Sequence, residues 1–218
     1  MKNIPRIFAG DNINPGDIVP VARDVAHYLT RVMRTHECVA FGGGREFLAR
    51  LSDDANALVI GNDTGRPDPA GDIRLMFAPI KRTDDLINMA TQMGVAEFLP
   101  VITEHTVAAH INWDRMRKIA VEASEQSNRN SVPRILEPVK FSEIDLHGIV
   151  FADERAAYGR DSVFMPQGAK SILVGPEGGF SDSEFAALDA NGACGISLGN
   201  TILRAEVAAV VAIAKITK

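Results

Sequence analysis

From residue 73 onward, the apolar positions alternate between two rhythms. Short unbroken apolar runs at Ile73–Ala78, Ala96–Val101, Gly148–Ala152, Lys170–Val174 and Gly195–Leu198 read as strands covered on both faces. Between the first two, Leu86, Met89, Ala90 and Met93 share one helical face, and Gly94 is placed to stop that helix. Trp113, Met116, Ala120 and Ala123 mark a second helix with Asn112 as its N-cap. Val207, Val210, Val211 and Ala214 supply the buried stripe predicted for the last helix. The alternation predicts an α/β region with a mostly parallel sheet and helices on both faces.

Residues before this region follow a different rhythm. Ile4–Phe8, Asp17–Val21, Glu37–Phe41, Arg45–Leu51 and Ala57–Ile60 read as short strands, and Gly42-Gly43-Gly44 as a hairpin turn rather than a phosphate loop. His27–Arg34 reads as a short helical segment between strands. Together they predict a small β-rich domain, barrel-like in character. The run Asn62–Asp72 is almost entirely turn-forming residues and reads as a linker, which divides the chain into domains at 1–70 and 73–218.

Bulk properties narrow the class without choosing a function. The chain has 218 residues, 46% hydrophobic and 23% charged, enough to bury a real core. Its longest apolar runs fall short of a membrane span, and residues 1–6 lack the apolar core of a signal peptide. Cys38 and Cys194 show no metal-like or redox-like spacing, so a reduced, cytoplasmic location is the expectation. The histidines 27, 36, 105, 110 and 147 form no ligand pattern either, and no metal is expected. The net charge of −5 carries no global signature of nucleic-acid binding, so any RNA contact must come from a local patch.

The chemistry concentrates in two strand–turn–helix segments near the C-terminus. The first is Ser171-Ile172-Leu173-Val174-Gly175-Pro176-Glu177-Gly178-Gly179-Phe180-Ser181, and the second runs from Ile196 through Leu198-Gly199-Asn200-Thr201-Ile202-Leu203-Arg204 to Glu206. Ligands of α/β proteins sit at the carboxyl ends of strands, so both turns are predicted to line one pocket. Ser181 with Glu184 forms a capping box, and Phe180 with Phe185 a hydrophobic staple, which would hold the glycine loop at a defined angle. The loop fits neither the dinucleotide fingerprint nor the P-loop. Glu177 would repel a phosphate but suits hydroxyls, amines or positive charge, all of which S-adenosylmethionine carries. Arg204 stands near the start of the last helix, where a cation is unfavourable by about 0.3–1 kcal/mol, and that hints at a task.

Three segments together resemble one family. Leu-Val-Gly-Pro-Glu-Gly-Gly-Phe-Ser at 173–181, Leu-Gly-Asn-Thr-Ile-Leu-Arg-Ala-Glu at 198–206 and Glu-Ala-Ser-Glu-Gln-Ser-Asn-Arg at 122–129 are similar to the RsmE methyltransferases of small-subunit ribosomal RNA, in the SPOUT superfamily. Residues 90–101 and Arg6-Ile7-Phe8 extend the match over nearly the whole chain. The resemblance implies a PUA-like β-barrel that helps hold RNA at 1–70. It also implies an α/β methyltransferase domain with a trefoil knot at 73–218, and a homodimer. S-adenosylmethionine would lie against Phe151, Ala152, Val174, Gly175, Glu177, Gly178, Leu198, Gly199, Ile202 and Leu203.

The activity implied is transfer of a methyl group to N3 of a uridine in 16S ribosomal RNA, free or within the small subunit. Arg204 and Arg129 are the expected catalytic residues, and Arg6, Lys81 and Arg129 the expected RNA contacts. Alternatives are another SPOUT methyltransferase acting on a ribose 2′-hydroxyl or a tRNA base, an RNA-binding protein without catalysis, and a nucleotide-binding enzyme. The chain departs from the family at Asn200, Thr201, Ala205 and Val207 in the second turn, and Ser131 stands where an arginine is frequent.

Overall fold

A computed structural model describes residues 4–107, 112–159 and 168–217. The chain forms two compact units: Met1–Ala70 with Val121–Val132, and Gly71–Ala120 with Pro133–Lys218. The short segment from Val121 to Val132 therefore groups with the N-terminal part, although its sequence position lies inside the α/β stretch.

The first unit is a five-stranded sheet of β1 (Arg6–Phe8), β2 (Ile18–Pro20), β3 (Glu37–Gly42), β4 (Arg45–Leu51) and β5 (Ala57–Asp63), in the order β1-β3-β4-β5-β2. Pairing is antiparallel except between β1 and β3. Gly43 and Gly44 close the β3–β4 hairpin with φ of 58° and 82°. A two-residue hairpin turn of this kind needs positive φ at both positions, which glycine supplies without strain. Leu29, Ala40, Phe47, Leu51, Leu58 and Ile60 form the centre of this unit's core. The helical segment begins earlier than the sequence predicts, as α1 (Arg23–His27), and continues as a π-helical stretch over Tyr28–Met33. Arg34 ends it in the left-handed region at φ 53°. Burial of Ala26 and Leu29 decides this extent, because both must reach the core from one continuous segment.

The run expected as a linker is fastened along much of its length. Asn62 and Asp63 belong to β5. The Thr64 hydroxyl donates to Glu46 Oε1 at 2.8 Å, Arg66 donates to the Asn128 carbonyl at 3.3 Å, and Asp68 Oδ1 accepts from the Asn130 amide at 3.0 Å. Residues that form turns also carry side-chain hydrogen-bonding groups, and here those groups hold the run in place.

The second unit is built on a sheet whose strands are all parallel. β6 (Arg74–Phe77), β7 (Glu97–Ile102), β8 (Arg134–Ile135), β10 (Val150–Ala152), β11 (Ser171–Val174) and β12 (Cys194–Ile196) take the order β12-β10-β11-β6-β7-β8, and β9 (Val139–Lys140) pairs with β7. α2 (Thr83–Gln92) buries Leu86, Ile87 and Ala90 and stops at Gly94, whose φ is 89°. α3 (Trp113–Gln126), whose residues from Val121 onward group with the first unit, starts where Asn112 Oδ1 accepts the Arg115 amide at 3.0 Å. α4 (Asp182–Ala190) and α5 (Ala205–Ile216) complete the unit.

The buried face of α5 differs from the predicted stripe. Ala205, Ala208, Ala209, Ala212 and Ile213 are buried, whereas Val207 is exposed and Val210, Val211 and Ala214 are only half-buried. A helix that is apolar nearly all round offers no single face to periodicity. Packing against α2 and β11 favours the alanine side, where small side chains admit a close approach.

Candidate active site

β12, β10 and β11 are neighbours in the sheet, so the loops leaving their carboxyl ends converge. They enclose a cleft of about 310 Å3. Its walls are Ala152–Glu154 at the end of β10, Val174–Gly179 at the end of β11, and Leu198, Gly199 and Thr201–Leu203 after β12, with Ala205 and Ala208 of α5 behind them. The two glycine turns thus meet in space as expected. Of the residues expected against a cofactor, Ala152, Val174, Gly175, Glu177, Gly178, Leu198, Gly199, Ile202 and Leu203 all line the cleft. Phe151 does not. Its side chain points to the opposite side of the strand from Ala152, into the core, with its ring edge-on to Phe180 at 6.2 Å.

The glycine loop is held from several directions. Ser181 Oγ accepts the Glu184 amide at 3.3 Å, and the Glu184 carboxylate accepts the Ser181 amide at 2.9 Å, closing the capping box. The Phe180 and Phe185 rings meet at 5.6 Å. Gly179 turns the chain with φ 71°, its amide donating to the Pro176 carbonyl at 3.0 Å. From behind, His105 Nδ1 lies 3.1 Å from the Gly178 carbonyl oxygen and 3.2 Å from that of Gly179. Two acceptors facing one ring nitrogen require the tautomer that carries its proton on Nδ1.

Beyond Ala152, the loop after β10 also brings Asp153, Glu154, Ala157 and Tyr158 to the cleft, four residues the sequence analysis did not single out. Two acids directly following an apolar parallel strand were the available signal, because such a position faces the ligand side of the sheet. Asp153 is buried and accepts from both Arg155 Nε and a terminal nitrogen at 2.8 Å. Arg155 also reaches Asp189 at 3.1 Å and lies over the Phe185 ring, 3.9 Å from its centroid. Burial pushes the Glu154 carboxyl above the usual carboxylate range and Asp153 adds to this, while its own backbone N–H, that of Phe180 and the Arg155 charge work the other way. Among the described residues lining the cleft there are three acids, Asp153, Glu154 and Glu177, and no lysine, arginine or histidine. The cleft therefore suits a ligand with cationic character and hydroxyls far better than one bearing phosphates.

Residues 66–217 match the RNA methyltransferase domain family. The ribosomal RNA small subunit methyltransferase E of Rickettsia conorii is 30% identical, over 97% of this chain and 94% of its own length. Its counterpart from Synechocystis is also 30% identical, over 87% and 69% respectively. This chain belongs to the RsmE family of RNA methyltransferases. Among solved structures, a ribosomal RNA small subunit methyltransferase E from Neisseria gonorrhoeae, bound to S-adenosyl methionine, superposes with a TM-score of 0.80 at 28% identity, covering 98% of this chain and 96% of that one. A probable rRNA methyltransferase from Porphyromonas gingivalis gives 0.81 at 26% identity, covering 97% and 96%.

The cationic residues singled out for this RsmE-family chain fall in different settings. Arg204 is exposed, at the cap position of α5 between the lining residues Leu203 and Ala205, and has no ion-pair partner among the described residues. Lys81 is exposed in the turn before α2. Arg6 is engaged within the first unit: it pairs with Glu46 and donates to the Arg129 carbonyl at 2.7 Å and to Asn130 Oδ1 at 2.9 Å. Arg129 is 2% exposed in the same unit, and burial pulls its guanidinium below the ordinary range while Asp68 opposes that shift. Neither of these two lines the cleft. Ser131, at one of the family departures, hydrogen-bonds Asp68. Of the five histidines, His110 lies outside the described residues, and no group of three or more His, Cys, Asp or Glu side chains is placed to hold a metal among those described. Burial pushes the Cys38 thiol up to about 12, which makes it unreactive at neutral pH. No described helix is long and apolar enough to cross a membrane.

Proposed function

We propose that this chain is an S-adenosylmethionine-dependent methyltransferase of 16S ribosomal RNA, acting on N3 of a uridine. One observation carries the reading: loops from three adjacent parallel strands build a cleft whose described lining holds three acids and no basic side chain. It is supported by family membership and by the likeness to a relative whose structure holds S-adenosyl methionine. The residues present fit that cofactor. Backbone at Gly175, Gly178, Leu198 and Leu203 is open to close approach, and the acids complement its positive charge.

Bound S-adenosylmethionine supplies an electrophilic methyl group on a positively charged sulfur. The uridine N3 must lose its proton as, or before, it attacks. Its new N–C bond forms as the S–C bond breaks, leaving a neutral thioether. Arg204, exposed beside the cleft, would stabilise the developing uridinate. Lys81 would contact RNA phosphates. Arg6 and Arg129 would act by fixing the local shape of the first unit, since their cations lie inside it. The apolar lining of Val174, Leu198, Ile202 and Leu203 would limit water, which favours a step that cancels charge.

In this reading residues 1–70 form a PUA-like barrel that holds RNA, and 73–218 a knotted SPOUT domain. The working form is a cytoplasmic homodimer. The half-exposed stripe of Val207, Val210, Val211 and Ala214 on α5 supports a second copy as its cover. The deciding experiment maps modified nucleotides in small-subunit rRNA from cells with and without the gene. The expected result is loss of one N3-methyluridine; loss of a ribose methyl group, or no change, would overturn the assignment.

A further inference from the structure

The three acids of the cleft are not equivalent. Asp153 is closed off by Arg155 through two hydrogen bonds. Glu177 is exposed at the rim, where water screens its charge. Glu154 is half-buried in the wall, with Oε1 so close over Gly179 that a Cβ there would lie 2.1 Å from it. Its hydrogen-bond partners are its own backbone N–H and that of Phe180. The described cation that acts on it, Arg155, is already shared between Asp153 and Asp189. Among the described residues Glu154 is thus an enclosed anion with no ion-pair partner of its own, set against the glycine loop.

Resting on the S-adenosylmethionine reading above, we propose that Glu154 is the residue that makes the cleft prefer the cationic sulfonium cofactor over the neutral thioether left after transfer. Cofactor and product share the adenosine and the amino-acid tail; they differ in one methyl group and one charge at sulfur. A carboxylate facing the tail would treat both alike. A carboxylate on the enclosed wall that faced the sulfur would lose its counter-charge on transfer of the methyl group, so the residue that selects the cofactor would also favour product release. Gly179 belongs to this device, because any side chain there would displace the Glu154 carboxylate from its position.

Calorimetric titration of the full chain with S-adenosylmethionine and with S-adenosylhomocysteine tests the assignment. For Glu154→Gln we expect cofactor affinity to fall roughly 5- to 30-fold, as suits a unit charge pair a few Å apart at a partly screened site. The thioether should bind within about twofold of the parent, and that retained affinity is itself the control for folding. Glu154→Asp keeps the charge and should retain most of the preference. An equal loss for both compounds, or no loss for either, would overturn the proposal and leave the cofactor reading standing. Failure of the unaltered protein to bind either compound would overturn both.

Discussion

At Glu154 two opposing influences meet: enclosure and the neighbouring Asp153 favour the protonated form, while its own backbone N–H, that of Phe180 and the Arg155 charge favour the anion. The net effect is a carboxyl whose pKa in the fold exceeds its unfolded value. The sign follows directly. Such a group contributes fully to stability below its unfolded pKa and loses that contribution as pH rises through the raised value. Glu154→Gln does not titrate, so its melting temperature should exceed the parent's near neutral pH, with the gap closing as pH falls toward 4.5 and below. Thermal melts across that range check this; a gap independent of pH would contradict it. Residue types announced the cleft's chemistry only partly. Glu177 was visible as an acid inside a glycine loop, whereas Asp153 and Glu154 follow an ordinary apolar strand, and which of the three is enclosed depends on neighbours far away in sequence.

At the scale of elements, the glycine loop and α4 are held as one piece. Ser181→Ala removes the cap and leaves the Glu184 amide without its partner, at a cost of about 1 kcal/mol. A lowered midpoint in urea denaturation, with unchanged slope, is the expected readout. His105 holds the loop from behind through Nδ1. An asparagine amide can place an N–H close to where Nδ1 stands, so His105→Asn should retain cofactor affinity, and His105→Ala should lose roughly 3- to 10-fold, the worth of one neutral hydrogen bond. Isothermal titration of both variants decides it; equal behaviour would assign His105 to packing alone. The capping box and staple were legible because both rest on residues a few positions apart. The His105 contact was not, because it joins positions 73 and 74 residues apart.

Across the whole molecule, the exposed valine stripe of α5 gives the dimer reading its test. Val207→Glu with Val211→Glu should convert a dimer to a monomer in sedimentation velocity while leaving the buried alanine face of α5 intact. A monomeric parent protein would refute the dimer. The same helix shows why its orientation was misread. Val and Ala alternate around it so evenly that two faces fit the helical period, and only the close approach to α2 and β11 selects the alanines.

Local pattern was sufficient for ten of the strands, the stops at Gly94 and the Gly43-Gly44 turn, the cap at Ser181, and the meeting of the two glycine turns, because each follows from backbone preference or from the habit of parallel sheets; the two-residue strands β8 and β9 are too short to carry a pattern and went unpredicted. Burial and charge pairing belong to the tertiary structure. They turned Arg6 and Arg129 inward, sent Phe151 to the core, added Asp153 and Glu154 to the cleft and left Glu154 enclosed with no ion-pair partner among the described residues. The physical reason is that a side chain's exposure and electrostatic partners are set by residues distant along the chain, which strand order brings together and local periodicity does not encode.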